Sequence, residues 1–396
     1  MGRSKQSYRG VALTAPVTIP YVRKSDHSTA RFMGLALGEL LQSTGLAKNQ
    51  VDGMSISTFT LAPDNAAALT EYFGVTLNWI DSPYLGGSSG VISAKRAARA
   101  IQNGDARFVA CIAADNAKPQ SFKTLVKNFS SFSRDSAYPY GAAGPNGVFS
   151  LLTRKYMETY GAEAEDFGRL CISQRQNASL NPNAMLTAEL TMEEYLSARP
   201  IADPLKLLDC VMPCAGAEAY MVMSTEDAIA LKLPYVEICS AEENHNAILE
   251  KDIPLRGGWD IFREDLYQAA DCSPDDIDLL YTYDDYPVIV FHQFEGLGFC
   301  APGQAANFVR ETDLTIKPTG KSRHLPHNTS GGQLSAGQAG FAGGFLGMTE
   351  ALRQLTHQAE GRQVDQARTA LVSGFGMVNY DRGLCAAAII LKGVTS

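Results

Sequence analysis

The chain has 396 residues, 45% hydrophobic and 19% charged, enough for two core-bearing halves. Its net charge of −8 sets it against polyanions, so neither nucleic acid nor an anionic membrane is an expected partner, and the balance suits an ordinary cytoplasmic protein. No apolar run approaches the roughly 18 residues of a membrane helix, and the basic start Met1-Gly2-Arg3-Ser4-Lys5 lacks the apolar stretch of a signal peptide.

Apolar residues at three- and four-residue spacing predict a helix over 32–44, which leads through a short polar connector into Val51-Asp52-Gly53 and a strand over 54–58. The small-residue turn Gly86-Gly87-Ser88-Ser89-Gly90 opens an Ala-rich helix over 91–102, and an apolar strand follows over 108–114. Residues 115–235 read as an inserted region. Within it, 118–146 is rich in Ser, Phe, Tyr and Pro; a loop of that length is functional or disordered, and the aromatics favour an ordered cover over a site, with Tyr138 and Tyr140 as packing residues. Helices are expected over 147–160 and 164–178, then a loop over 181–203 carrying one short helix at 191–198. The eight cysteines lie mostly in apolar stretches and read as reduced thiols. The closest pair, Cys210 and Cys214, has C-x3-C spacing and no further ligands, so no metal site is expected.

The later part repeats the earlier one. A helix over 261–270 leads through a polar connector into Ile277-Asp278-Leu279 and a strand over 280–283; a Gly/Ser turn, a helix over 335–355 and a strand over 370–373 complete the second copy. This alternation predicts mixed α/β sheets with helices on their faces, in two halves, 1–235 and 236–396, that bury a helix pair between them.

Several stretches resemble thiolases. Asn328-Thr329-Ser330-Gly331-Gly332-Gln333-Leu334-Ser335-Ala336-Gly337-Gln338-Ala339-Gly340 is similar to N-x-x-G-G-x-x-x-x-G-H-P-x-G. Tyr283-Asp284-Asp285-Tyr286 stands where thiolases of the sterol-carrier-protein-x type carry His-Asp-Cys-Phe, and Phe294-Glu295-Gly296-Leu297-Gly298-Phe299-Cys300 continues the match. Ser373-Gly374-Phe375-Gly376 matches their C-x-G-G loop. The resemblance covers nearly the whole chain. It implies the five-layer αβαβα thiolase fold with duplicated mixed-sheet halves, a homodimer formed through the N-terminal half, and a coenzyme A thioester as ligand with no permanently bound cofactor.

The departures are chemical. Thiolase chemistry needs a thiolate nucleophile, a base that activates it and a second cysteine that moves the α-proton. By resemblance those positions are Gly87, Gln338 and Ser373, and the motif histidine is Tyr283. An acyl-cysteine route is therefore excluded at Gly87. The same losses resemble the steroid side-chain aldolases of the lipid-transfer-protein type, which replace the cysteine by glycine and carry Tyr at the place of Tyr283. They imply retro-aldol cleavage of a branched β-hydroxyacyl-CoA in lipid or steroid catabolism, to a ketone or aldehyde and a shortened acyl-CoA. They also imply a small partner with an OB-fold and zinc ribbon. Those aldolases have a second catalytic tyrosine where this chain has Gln338.

A retro-aldol cleavage needs a base for the β-hydroxyl, a proton donor for the enolate carbon and hydrogen bonds to the thioester oxygen. Tyr283 is the candidate acid or base, with Asp284 beside it; alternation places one of Asp284 and Asp285 on the opposite face. Gln338, with the backbone N–H groups of Ala339 and Gly340 at a helix start, is a candidate oxyanion cap; the plainer reading is that glycines let this helix pack closely. Asn328 fixes a water or the loop. The turn at Gly87 and Ser88 offers N–H groups, and Gly87 frees volume for a bulky acyl chain; Ser373 completes the candidate thioester site. His292, His324 and His327 read as solvent or structural residues, His327 lying next to Asn328. Two alternatives stand beside the lyase: an acyltransferase that works without the usual acyl-cysteine or borrows a thiol such as Cys111, and a non-catalytic acyl-CoA-binding or scaffold subunit.

Overall fold

The computed structural model describes residues 7–116, 134–135, 138–141, 144–250, 252–379 and 382–394. Most of the loop expected at 118–146 lies outside the described residues. Among the described residues nine strands form one mixed sheet: β1 (Val11–Val22), β2 (Gly53–Ser57), β3 (Trp79–Asp81), β4 (Phe108–Asn116), β5 (Ala215–Ser224), β6 (Tyr235–His245), β7 (Leu279–Tyr281), β8 (Thr369–Asn379) and β9 (Arg382–Gly393). Their order is β3-β2-β4-β5-β1-β6-β9-β8-β7. β2 runs parallel to β3 and β4, and β7 parallel to β8; the other neighbours are antiparallel. The five-strand and four-strand portions are continuous through three residue pairs between β1 and β6, Ala12↔Glu237, Leu13↔Val236 and Thr14↔Tyr235.

Strand alternation divides the core into three apolar clusters. Leu13, Val109, Tyr220, Val236, Ile389 and Ala370 face a central cluster with Val91 and Ile92 of helix Ser89–Asn103 and Phe345 and Met348 of helix Gly343–Leu355. The opposite faces bury Ala110, Ile112 and Met221 against Phe32 and Leu37 of helix Thr29–Thr44, and Leu280, Leu371 and Ile390 against Phe291 and Phe294 of helix Pro287–Gly296. The layers are therefore helix, sheet, central helix pair, sheet, helix: the αβαβα arrangement. The repeat extends to hydrogen bonds. Asp52, ahead of β2, accepts from the N–H groups of Arg107 and Phe108 at the start of β4; Asp278, ahead of β7, accepts from those of Arg368 and Thr369 at the start of β8.

The structure departs from the sequence expectation at two places that shape the site. The helix expected over 335–355 is broken. A short helix, Gly332–Ala336, stops at Gly337, whose φ of +104° only glycine adopts readily, and the main helix starts at Gly343. In the gap Gln338 pairs with another segment, its N–H donating to the Met212 carbonyl (2.9 Å) and its carbonyl accepting from the Cys214 N–H (3.0 Å). The strand expected to reach 283 ends at Tyr281, because the next peptide groups bond to side chains instead of a neighbouring strand.

Candidate active site

Two buried amides hold the segment after β7. Asn328, at φ +44°, accepts from the Thr282 N–H with Oδ1 and donates to the Thr282 carbonyl with Nδ2, both at 3.0 Å. Gln293, fully buried in helix Pro287–Gly296, does the same for Tyr283, accepting from its N–H at 3.0 Å and donating to its carbonyl at 2.7 Å. The Tyr283 ring is thereby driven against the turn at Gly87. A Cβ built on Gly87 would lie 2.1 Å from Tyr283 Cε2, 2.2 Å from Cδ2 and 2.5 Å from Cζ. The volume that Gly87 lacks is occupied by Tyr283 and is not open to substrate, contrary to the sequence expectation.

Tyr283 borders an open cavity of about 210 Å³. Gly87, Gln338, Gly340, Asp115, Cys210 and Asp285 also line it, among apolar walls that include Phe59, Ile201, Val211, Phe375 and Met377. At one side Phe59, Tyr84 and Phe341 pack ring to ring, with centroids 4.1 to 5.5 Å apart. The Gln338 side chain donates through Nε2 to the Tyr283 hydroxyl (3.2 Å) and to Gln333 Oε1 (3.0 Å). The phenol oxygen is thus an acceptor towards Gln338 and keeps its own proton for another partner.

Burial, and next the charges of Asp285 and Asp284, push the Tyr283 phenol well above its usual range, so it stays protonated at neutral pH. Asp284 is fully engaged: it accepts from the N–H groups of Gln333 (3.0 Å) and Leu334 (3.3 Å) and from the Gln174 amide (2.9 Å), and burial raises it to about 6. Asp115 is equally committed. Its Oδ1 accepts from the Thr58 and Thr60 hydroxyls and from the N–H groups of Phe59 and Thr60, and its Oδ2 from the N–H of Phe341, which fixes the turn at Gly340; burial raises it, too, to about 6. Asp285 differs: its Oδ1 is buried and has no hydrogen-bond partner among the described residues.

The expected site residues separate into two groups. Tyr283, Gln338, Gly87 and Gly340 meet at the main cavity. Asp284, Asn328 and Ser373 lie behind Tyr283 around a narrow inner void of about 20 Å³. Ser373 donates to Gln293 Oε1 (2.5 Å), which makes it a support of the amide that clamps Tyr283. Ser88 donates to the Cys385 carbonyl (3.2 Å) and Ala339 is fully buried; neither lines the main cavity or the inner void. Gln338 sits in the helix break, not at a helix start. His327 bonds Thr282 Oγ1 through Nε2 (2.8 Å); burial lowers it to about 3 and His292 to about 4, so both are neutral, and neither lines the main cavity.

A thiol does reach the cavity. Cys210 lines it, but its Sγ donates to the Lys206 carbonyl, and burial, with Asp209 and Asp285 next in weight, pushes it up to about 12. Such a thiol is not a nucleophile at neutral pH. Cys111 is buried in β4 and raised further by burial. The residues that sequence reasoning passed over are Gln293, Gln333 and Asp115, which hold the site, and Asp285, chosen against in favour of its neighbour. The signals for Asp285 were its two-residue spacing from Tyr283 and its place at the cysteine of the His-Asp-Cys-Phe motif.

A family model described as Thiolase C-terminal domain-like matches residues 241–388. The 17-hydroxy-3-oxo-4-pregnene-20-carboxyl-CoA lyase of Mycobacterium tuberculosis is 30% identical over 354 residues, 85% of this chain and 88% of its own. The steroid side-chain-cleaving aldolase of Thermomonospora curvata is 28% identical over 373 residues, 90% of this chain and 93% of its own. Among solved structures, an Ltp2–ChsH2(DUF35) aldolase matches with a TM-score of 0.82 at 27% identity, over 97% of this chain and 98% of that one.

Proposed function

Because the chain belongs to the thiolase superfamily, in its sterol-carrier-protein-like branch, we propose that it is a carbon–carbon lyase cleaving a branched β-hydroxyacyl-CoA by a retro-aldol reaction. The observation that carries this reading is the Tyr283 ring standing in the space that any side chain at Gly87 would need. In this reading the thioester site is retained, and the Tyr283 phenol takes the room that a cysteine side chain at residue 87 would need.

In the reaction a base takes the β-hydroxyl proton, the Cα–Cβ bond breaks as the carbonyl forms, and the thioester becomes an enolate that must be protonated at carbon. Tyr283, protonated and oriented by Gln338, supplies that proton. The turn at Gly340, whose Phe341 N–H is taken by Asp115, borders the cavity, and the Gly340 N–H is the group we assign to the developing charge on the thioester oxygen. The apolar walls of the cavity suit an apolar acyl group, and the names of the lyase and aldolase relatives support a steroid side chain as the substrate class we infer.

The reading extends to a homodimer, to a small OB-fold and zinc-ribbon partner of the kind suggested by the two-protein aldolase, and to two halves meeting near 235/236. The eight cysteines, all free, suit a cytoplasmic setting. The test is to incubate the purified protein, alone and with its partner, with branched β-hydroxyacyl-CoA thioesters. A carbonyl product and a shortened acyl-CoA should appear together, and Tyr283→Phe should lower kcat by about 10²- to 10⁴-fold. Undiminished activity in Tyr283→Phe would refute the role given to the phenol.

A further inference from the structure

The reaction read above needs a proton acceptor, and Gln338, a neutral amide, is not one. Among the described residues five titratable side chains line the cavity: Asp115, Cys210, Tyr283, Asp285 and Tyr286. Four are unsuited. Both oxygens of Asp115 are occupied, Oδ1 by donors of the Thr58–Thr60 segment and Oδ2 by the Phe341 N–H of the Gly340 turn. Cys210 is a protonated thiol bonded to the Lys206 carbonyl. Tyr286 donates its hydroxyl to Asn146 Oδ1, and burial raises it well above the usual phenol range. Tyr283 is held protonated and is the proton donor.

Asp285 remains. It follows Tyr283 by two residues, and both border one cavity while Asp284 turns inward to Gln174, Gln333 and Leu334. Its Oδ1 is buried without a hydrogen-bond partner, an arrangement that costs stability unless a ligand supplies the missing donor.

We propose that Asp285 is the general base of the retro-aldol step, taking the proton of the substrate's β-hydroxyl; this rests on the lyase reading. The balance closes within the pair. The hydroxyl proton passes to the Asp285 carboxylate, the Cα–Cβ electron pair moves into the thioester enolate, and the enolate carbon takes the Tyr283 proton. Return of the proton from Asp285 to the Tyr283 phenolate resets the site, and no oxidant, metal or second substrate is needed. Burial, then the charge of Asp284, raises the Asp285 carboxyl well above its ordinary range, and the N–H groups of Tyr286 and Asp285 offset this only in part. The other titratable groups facing it are Tyr283, Tyr286 and Cys210. A carboxylate made more basic in this way is better matched to a hydroxyl proton.

The test compares wild type, Asp285→Asn and Asp285→Glu for kcat, KM and the pH profile of kcat/KM on a β-hydroxyacyl-CoA. Binding of the shortened acyl-CoA and thermal unfolding serve as checks on folding. In wild type, activity should rise with pH through the titration of Asp285. Asp285→Asn should lose about 10²- to 10⁴-fold in kcat with little change in KM, and lose the acidic limb; Asp285→Glu should keep a displaced limb. An Asp285→Asn enzyme with wild-type kcat, or a limb that persists in it, overturns the assignment while leaving the lyase reading intact. A wild-type protein that turns over no β-hydroxyacyl-CoA refutes the lyase reading and the inference with it.

Discussion

Adding one methyl group at residue 87 tests the geometry of the site most sharply. In Gly87→Ala the new Cβ would stand 2.1 Å from Tyr283 Cε2, and ordinary contact begins near 3.4 Å, so the ring must move by about 1.3 Å. It has little freedom to do so. The Tyr283 peptide is clamped by Gln293, the preceding peptide by Asn328, and the hydroxyl by Gln338 at 3.2 Å, a bond that such a displacement breaks. Overpacking of this kind costs about 1–3 kcal/mol, and a 1 Å misplacement of a reacting group costs about a hundredfold in rate. Denaturant unfolding and steady-state kinetics should show both effects in Gly87→Ala. The stability loss should vanish when the substitution is repeated in Tyr283→Ala, where no ring remains to be struck. An equal loss in the two backgrounds, or wild-type turnover in Gly87→Ala, would refute the claim that the ring fills the place of the missing side chain.

Other consequences follow from the same contacts. Gln293→Leu leaves the Tyr283 N–H and carbonyl without their partner, so kcat should fall by at least about tenfold with KM nearly unchanged, alongside a stability loss of about 1–3 kcal/mol. Asp284 titrates near 6 in the fold and near 3.8 when unfolded, so between those values the folded chain holds the extra proton and stability falls as pH rises. The stability of wild type relative to Asp284→Asn should thus be greater at pH 4 than at pH 7, by up to about 3 kcal/mol in urea unfolding; the opposite sign would contradict the burial argument. Cys210, raised from 9.0 to about 12, should react with iodoacetamide at neutral pH about a thousandfold more slowly than an unperturbed thiol.

The architecture was readable because periodicity and repeat are properties of the string: the helix–Asp–strand units at 32–58 and 261–283 fold alike, down to the two aspartates that cap neighbouring strands. The meeting of Gly87, Tyr283, Gln338 and Gly340 was also readable, through their order in recognisable motifs. What the string does not encode is which way a side chain turns once a strand stops. Tyr283-Asp284-Asp285 leaves the sheet after Tyr281, so alternation names two faces without saying which is the cavity, and it is Asp285, not Asp284, that faces it. Asn328 and Ser373 hold thiolase motif positions, and here they bind Thr282 and Gln293. The break at Gly337 depends on pairing with Met212 and Cys214, more than 120 residues earlier, which no local pattern announces. Gln293 and Asp115 carry no motif; their importance lies in the peptide groups they hold.

The most direct measurement of the central claim, cleavage without an acyl-enzyme, is a quenched turnover of a branched β-hydroxyacyl-CoA with free coenzyme A removed, followed by product analysis and intact-protein mass. The account predicts one carbonyl product per shortened acyl-CoA, no requirement for added coenzyme A and an unmodified protein mass throughout. A reaction that starts only when coenzyme A is supplied, or a protein that gains the mass of an acyl group on Cys210 or any other thiol, would contradict it.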